Sequence, residues 1–243
     1  MSLPLFFVDE LAEPGHQASL SVADTRHALR SLRMRPGDSM TLTDGRGLVA
    51  TGRLIREDRG RALVDIGHVR AAERPAPTVS VALAPPKGDR LAWAVQKLGE
   101  LGVDQALLVA TGRSVRGWSA ERTASSLSRL RTVAREAAMQ SRRPFTMDVR
   151  VALTLEEALD GAEVGRIALW ERAPRSLTDV LAPKSAGPTR ILVGPEGGFT
   201  EEEVDRMKGA GAALASLGSG ILRTETAAVV GAALVLARFG RLG

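Results

Sequence analysis

Two spacings of apolar residues divide this sequence. Over residues 1–70 apolar and polar positions mostly alternate, the period of half-buried strands. The stretch SMTLTDGRGLVATGRLIRE, residues 39–57, holds two such runs on either side of Asp44-Gly45-Arg46-Gly47, which predicts a hairpin. A short helix is predicted before it, over ADTRHALRSLRM, residues 23–34. The alanine- and proline-rich stretch 71–80 reads as a linker. From Val79 onward, short continuous apolar runs alternate with stretches of helical period. Strands are predicted at 79–84 and 105–110, and near 148–153, 166–170, 190–193 and 212–217. A helix at 91–104 puts Leu91, Ala94, Val95, Leu98 and Leu101 on one face, with Gly102 placed to cap it. A longer helix from Ser119 to Gln140 has Leu127, Leu130, Val133, Ala134 and Ala137 as its buried stripe. This alternation predicts an α/β domain with a largely parallel sheet over 73–243, preceded by a small barrel-like β domain over 1–72.

The last helix contains 11 consecutive apolar residues, Ala227 to Ala237. That predicts burial on all sides, at the domain centre or in a subunit interface. The run is too short to span a bilayer, which takes about 20 residues, so no membrane association is expected. The opening MSLPLFFVDEL lacks a basic start and a long apolar region, so no signal peptide is expected. Apolar residues at 44% and charged residues at 25% fit a soluble globular protein. The absence of cysteine excludes disulfides, thiolate metal sites and a cysteine nucleophile, and fits a cytoplasmic protein. The three histidines, at 16, 27 and 68, are too scattered to predict a metal site.

Net charge is +5, and its placement says more than its size. Residues 76–150 carry 12 basic and 6 acidic groups, whereas 151–243 carry 10 and 12. A basic middle segment is a polyanion footprint. Arg113, Arg116, Arg122, Arg129, Arg131, Arg135, Arg142, Arg143 and Arg150 stand there against Glu121, Glu136 and Asp148. Aromatic residues are few, so phosphate and shape contacts should dominate over base stacking, with strong salt dependence.

Two glycine loops carry the candidate chemistry. In LVGPEGGFTEEEV, residues 192–204, an apolar strand runs through Val193 into Gly194-Pro195-Glu196-Gly197-Gly198. A helix follows, with Thr200 and Glu203 spaced as a capping box. Glycines allow close backbone approach to a ligand. Glu196 argues against a phosphate there, because a carboxylate repels phosphate oxygens. A neutral or locally positive ligand fits better, such as an adenosine bearing a sulfonium. The second loop, LGSGILR at 217–223, also joins a strand to a helix, with Thr224 as the expected cap. In a parallel sheet such loops gather at the carboxyl edge, where ligands bind. Arg223 precedes a helix start, where a cation gains nothing from the dipole, which leaves pairing with a carboxylate or with an anionic substrate.

LVGPEGGFTEEEV followed by LGSGILRTETA resembles the signature of the SPOUT methyltransferases, and more narrowly of the bacterial 16S ribosomal RNA (uracil-N3)-methyltransferase family. HALRSLRMRPGD with LTDGRG, KLGELGVD and EAAMQSRR extend the resemblance over nearly the whole chain. Leu5, where an arginine commonly stands, and Arg26, where a second histidine is frequent, depart from the pattern. The resemblance implies a PUA-like N-terminal RNA-binding β-barrel and a SPOUT-type trefoil knot in the C-terminal domain. It implies S-adenosyl-L-methionine as cofactor and a homodimer. The substrate would be one uridine of 16S ribosomal RNA in the assembled small subunit, methylated at N3. Carried over by position, the cofactor would be held by Trp170, Val193, Gly194, Pro195, Glu196, Gly197, Gly198, Leu217, Gly218, Ile221, Leu222 and Arg223. Arg30, Arg33, Arg135, Arg142 and Arg143 are the expected RNA contacts.

Methylating uracil N3 requires removing its proton and aligning the nitrogen with the methyl group, so the lack of cysteine is no obstacle. Arg223 is the candidate for stabilising the imide anion or binding the target phosphate. Glu225 is a candidate base, or an acid serving the helix dipole. A ribose 2′-O-methyltransferase and a non-catalytic RNA-binding assembly factor are the alternative readings.

Overall fold

The computed structural model describes residues 3–11, 14–113, 120–161, 164–181 and 187–242, without the side chains of 120–124. Arg116 and the expected helix start at Ser119 lie outside the described residues, as do the side chains of Glu121 and Arg122. The chain forms two units, residues 1–74 with 138–146, and residues 75–137 with 147–243.

In the first unit, β1 (Leu5–Phe7), β2 (Gln17–Ser19), β3 (Ser39–Thr43), β4 (Leu48–Asp58) and β5 (Arg61–Ala71) make a sheet in the order β1-β3-β4-β5-β2. β1 runs parallel to β3 and the other pairs are antiparallel. At the β3–β4 turn the Asp44 carboxylate accepts from the N–H groups of Arg46 (2.8 Å) and Leu48 (3.0 Å), closing a local Asx-type turn. Phe6, Leu20, Met40, Leu42, Leu54 and Val64 fill the core. The helix expected over 23–34 is split. α1 (Val22–Arg26), capped by Ser21, gives way to a π-helical turn at His27–Ser31.

Residues 138–146 belong with this unit, which the linker-based division into 1–72 and 73–243 did not include. Thr43 donates its hydroxyl to the carbonyl of Pro144 (3.1 Å), and the Thr146 N–H bonds Gly45 O (2.9 Å). The Phe145 ring fills the space a side chain at Gly47 would need, and Arg74 lies 4.4 Å from its centroid. Composition marks where a chain leaves a domain but not where a later segment returns to it.

In the second unit, among the described residues, β6 (Val79–Leu83), β7 (Gln105–Val109), β8 (Asp148–Ala152), β9 (Gly165–Leu169), β10 (Thr189–Val193) and β11 (Ala213–Ala215) form a parallel sheet. The order is β11-β9-β10-β6-β7-β8. The helices are α2 (Arg90–Leu101), α3 (Ala120–Gln140), α4 (Leu155–Leu159), α5 (Leu177–Leu181), α6 (Glu201–Gly209) and α7 (Thr224–Arg238). Val81, Leu83, Leu108, Ile191 and Val193 pack on one side with residues of α2, α3 and α7. Ala82, Leu107 and Leu192 pack on the other with residues of α4 and α6. Burial of both faces is why these strands read as unbroken apolar runs. Gly102, at φ 86°, ends α2 in the left-handed conformation that glycine adopts without strain.

Among the described residues α7 is not buried on all sides, so the domain centre alone does not supply the burial expected from its apolar run; the other expected setting was a subunit interface. Ala228, Gly231, Ala232, Val235 and Leu236 face the sheet, whereas Val230 is 37% exposed and Ala237 is also exposed. Small residues make the run apolar throughout, but among the described residues the side that carries Val230 and Ala237 is left open. No helix among the described residues is long and apolar enough to cross a membrane.

Candidate cofactor site

β9 lies between β11 and β10 in the sheet, so the loops leaving the carboxyl ends of these three strands emerge side by side. They enclose a pocket. Leu169, Trp170 and Glu171 line it from the first loop, Val193 through Phe199 from the second, and Leu217, Gly218, Gly220, Ile221 and Leu222 from the third. Thr224 and Ala227 of α7 complete the lining. The structure therefore brings together Trp170, Val193, Gly194, Pro195, Glu196, Gly197, Gly198, Leu217, Gly218, Ile221 and Leu222. Arg223 follows directly, exposed, with no side-chain partner among the described residues.

The glycine loop is set by contacts at several points. The Thr200 hydroxyl accepts from the Glu203 N–H (3.2 Å) and Glu203 Oε2 accepts from the Thr200 N–H (2.8 Å), so the capping box is complete. Glu203 is 3% exposed, and its Oε1 accepts from the N–H of Gly112 in the segment after β7 (2.7 Å). Glu203→Ala would leave two N–H groups without partners and is expected to lower stability by about 2 kcal/mol, as read by urea denaturation; an unchanged midpoint would contradict this role. Beside Gly112, Arg113 Nη1 donates to Gly197 O (2.7 Å). Arg113, grouped by sequence with the polyanion-binding arginines, instead holds the loop.

Thr224 is not the cap of α7. Arg223 occupies the cap position (φ −65°, ψ 152°), and the Thr224 hydroxyl donates to Gly194 O (3.0 Å), joining the helix start to the glycine loop. Glu225 is 6% exposed and absent from the pocket lining. Its Oε1 lies 3.8 Å from Arg90 Nη1, and its Oε2 is buried without a hydrogen-bond partner among the described residues. Sequence reasoning did not single out Arg90, which stands in the first turn of α2 with its own partners far along the chain.

The lining contains two carboxylates, Glu171 and Glu196, and among its described residues no lysine or arginine. Such a pocket suits a ligand carrying positive charge and disfavours a phosphate. The Trp170 indole N–H is buried without a hydrogen-bond partner among the described residues, and the Arg172 guanidinium lies 4.6 Å from the ring centroid while also pairing with Glu201. Among the described residues no cluster of histidine and carboxylate groups could hold a metal ion.

A family model described as an RNA methyltransferase domain matches residues 72–236 and so takes in every residue of this lining. The chain belongs to the RNA methyltransferase family. A second model, an RNA methyltransferase PUA domain, matches residues 20–67, inside the first unit. A relative named ribosomal RNA small subunit methyltransferase E, from Mycobacterium bovis, is 35% identical over 93% of this chain and 88% of its own length. Among solved structures, a ribosomal RNA small subunit methyltransferase E from Neisseria gonorrhoeae, bound to S-adenosyl methionine, is 30% identical. It covers 97% of both chains with a TM-score of 0.84. A Legionella pneumophila methyltransferase in complex with the same cofactor is 27% identical over 98% of both chains, with a TM-score of 0.86.

In this RNA methyltransferase the expected RNA contacts fall in both units. Arg30, Arg33 and Arg142 are exposed in the first unit, and Arg33 (φ 54°) and Arg142 (φ 57°) sit in the left-handed region. Arg143, in the same unit, and Arg135, on α3, are half-buried and have partners of their own. Arg129 pairs with Asp89, Arg131 donates to Val149 O and Arg150 pairs with Asp148, so these basic groups already hold local structure.

Proposed function

We propose that this protein transfers the methyl group of S-adenosyl-L-methionine to N3 of a uridine in 16S ribosomal RNA of the small subunit. The observation that carries the reading is the lining of the pocket: three sheet-edge loops that bring glycine backbone and two carboxylates around one space, with no lysine or arginine among the described lining residues. Relatives named ribosomal RNA small subunit methyltransferase E, and neighbours solved with the cofactor, support it. Working in the cytoplasm and forming a homodimer belong to the same reading. The open apolar side of α7 supports the second, and a trefoil knot around the cofactor loops would follow from the family resemblance.

When bound, the cofactor supplies an electrophilic methyl group on a positively charged sulfur. Glu171 and Glu196 give that charge a favourable environment, and the backbone of Gly194, Gly197 and Gly198 permits close approach. Ile221 and Leu222 add an exposed apolar edge to the pocket. Loss of the N3 proton to solvent water leaves a uracil anion, which Arg223 stabilises from the mouth of the pocket; the anion takes the methyl group and S-adenosylhomocysteine leaves. The remaining rate arises from holding the nitrogen in line with the methyl group.

Primer extension separates this reading from ribose methylation. A methyl group on N3 blocks the pairing edge of uracil, so reverse transcriptase should stop at one uridine of RNA recovered from treated small subunits. Read-through with a mass gain of one methyl group would move the reaction to the ribose. The absence of any mass gain, with cofactor bound, would favour a non-catalytic RNA-binding role.

A further inference from the structure

We propose that Arg90 is a positioning residue of the cofactor site, one guanidinium that ties the two glycine loops together through Glu196 and Glu225. The inference rests on the cofactor reading above and concerns how the pocket keeps its shape. β6 and β10 are neighbours with Leu83 opposite Val193, and the Ala84 N–H continues the ladder to Val193 O (2.9 Å). The loop after β6, Pro85 to Asp89, therefore leaves the sheet beside the glycine loop. At its end Arg90 Nη1 lies 3.5 Å from Glu196 Oε1 and 3.8 Å from Glu225 Oε1. Its Nε donates to Lys87 O (3.2 Å), and the Lys87 N–H approaches the same Glu196 oxygen (3.5 Å).

Three physical points give this arrangement a purpose. A cation in the first turn of a helix opposes the dipole, so Arg90 gains nothing from α2 by standing there. Glu225 is buried, with Arg90 as its cationic partner among the described residues, and removing one partner of a buried pair leaves an uncompensated charge. A guanidinium has five donors in a rigid plane, so it can serve two carboxylates and a carbonyl at once, which a lysine ammonium on a flexible stem does less well. Glu196 lines the pocket, and Glu225 directly follows the third loop and its Thr224 link to Gly194. Arg90 therefore sets the separation of the loops without touching the ligand.

Calorimetric titration with S-adenosylmethionine and with S-adenosylhomocysteine tests this. For Arg90→Met we expect both to bind about tenfold more weakly, with kcat at saturating cofactor within about twofold of wild type. Arg90→Lys should recover part of the affinity. For S-adenosylhomocysteine, which lacks the sulfonium charge, Glu196→Gln should weaken binding alone but add little in the Arg90→Met background, since the two changes break one contact. If Arg90 acted only through its charge, its removal would favour the cationic sulfonium ligand over the neutral homocysteine product, and that result would overturn the proposal. Wild-type affinity in Arg90→Met, full additivity with Glu196→Gln, or a loss explained by the unfolded fraction in a thermal melt would also overturn it. Should Arg90→Met fail to fold, Arg90→Lys with the same two ligands carries the test. A wild-type protein that binds neither ligand would remove the cofactor reading itself, and the clamp with it.

Discussion

Arg223→Met is expected to lower kcat for methyl transfer by about a hundredfold or more while leaving cofactor affinity within about threefold of wild type. The guanidinium is exposed and has no side-chain partner among the described residues, and its residue stands at the N-cap of α7, where the helix dipole opposes a cation. An anion from outside the chain would be a favourable partner there. In the proposed reaction that partner is the uracil anion or the phosphate of the target nucleotide. Steady-state kinetics against small subunits separates the two. A fall in kcat places Arg223 on the developing charge, whereas a rise in KM for RNA with kcat preserved places it on the phosphate. Unchanged values of both would remove Arg223 from the reaction.

Gly198→Val is expected to weaken cofactor binding by about thirtyfold to a hundredfold. Gly198 has φ 70°, a conformation costly for any residue with a Cβ and most of all for a β-branched one. Its N–H bonds Pro195 O (2.8 Å), closing the turn that presents the loop, and a Cβ there would stand 3.7 Å from a carboxylate oxygen of Glu171. To relieve the strain the loop must leave its ligand-ready shape. Strain of about 1–3 kcal/mol is smaller than the stability of a typical domain, so the variant should remain folded. Gly209→Ala, at the end of α6 with open space around its Cβ, serves as the control. Calorimetry showing equal affinity for both variants would contradict the account of this loop.

The parts legible in the sequence share a local cause. The strands of the second unit were readable because burial on both faces forces continuous apolar runs, as at Val79–Leu83 and Thr189–Val193. The capping box of Thr200 and Glu203 was readable because both partners lie within one turn. The second bond of Glu203, to Gly112, was not, because its donor stands in another loop. The same limit hid the roles of Arg90, at the start of α2, and Arg113, in the segment after β7, whose carboxylate and carbonyl partners lie far along the chain at a shared sheet edge. Thr224 looked like a cap because hydroxyls favour that position. The structure instead spends the hydroxyl on Gly194 O and lets the backbone of Arg223 begin the helix. For α7, composition could report an apolar surface all round but not which side has a partner.

The most direct test of the central claim is transfer of labelled methyl from S-adenosylmethionine to unmodified small ribosomal subunits, followed by nucleoside mass analysis. Label is expected in 3-methyluridine, at a rate strongly reduced by Arg223→Met and, below saturating cofactor, by Gly198→Val. Label in any other nucleoside, or no transfer by a protein that binds the cofactor, would contradict it.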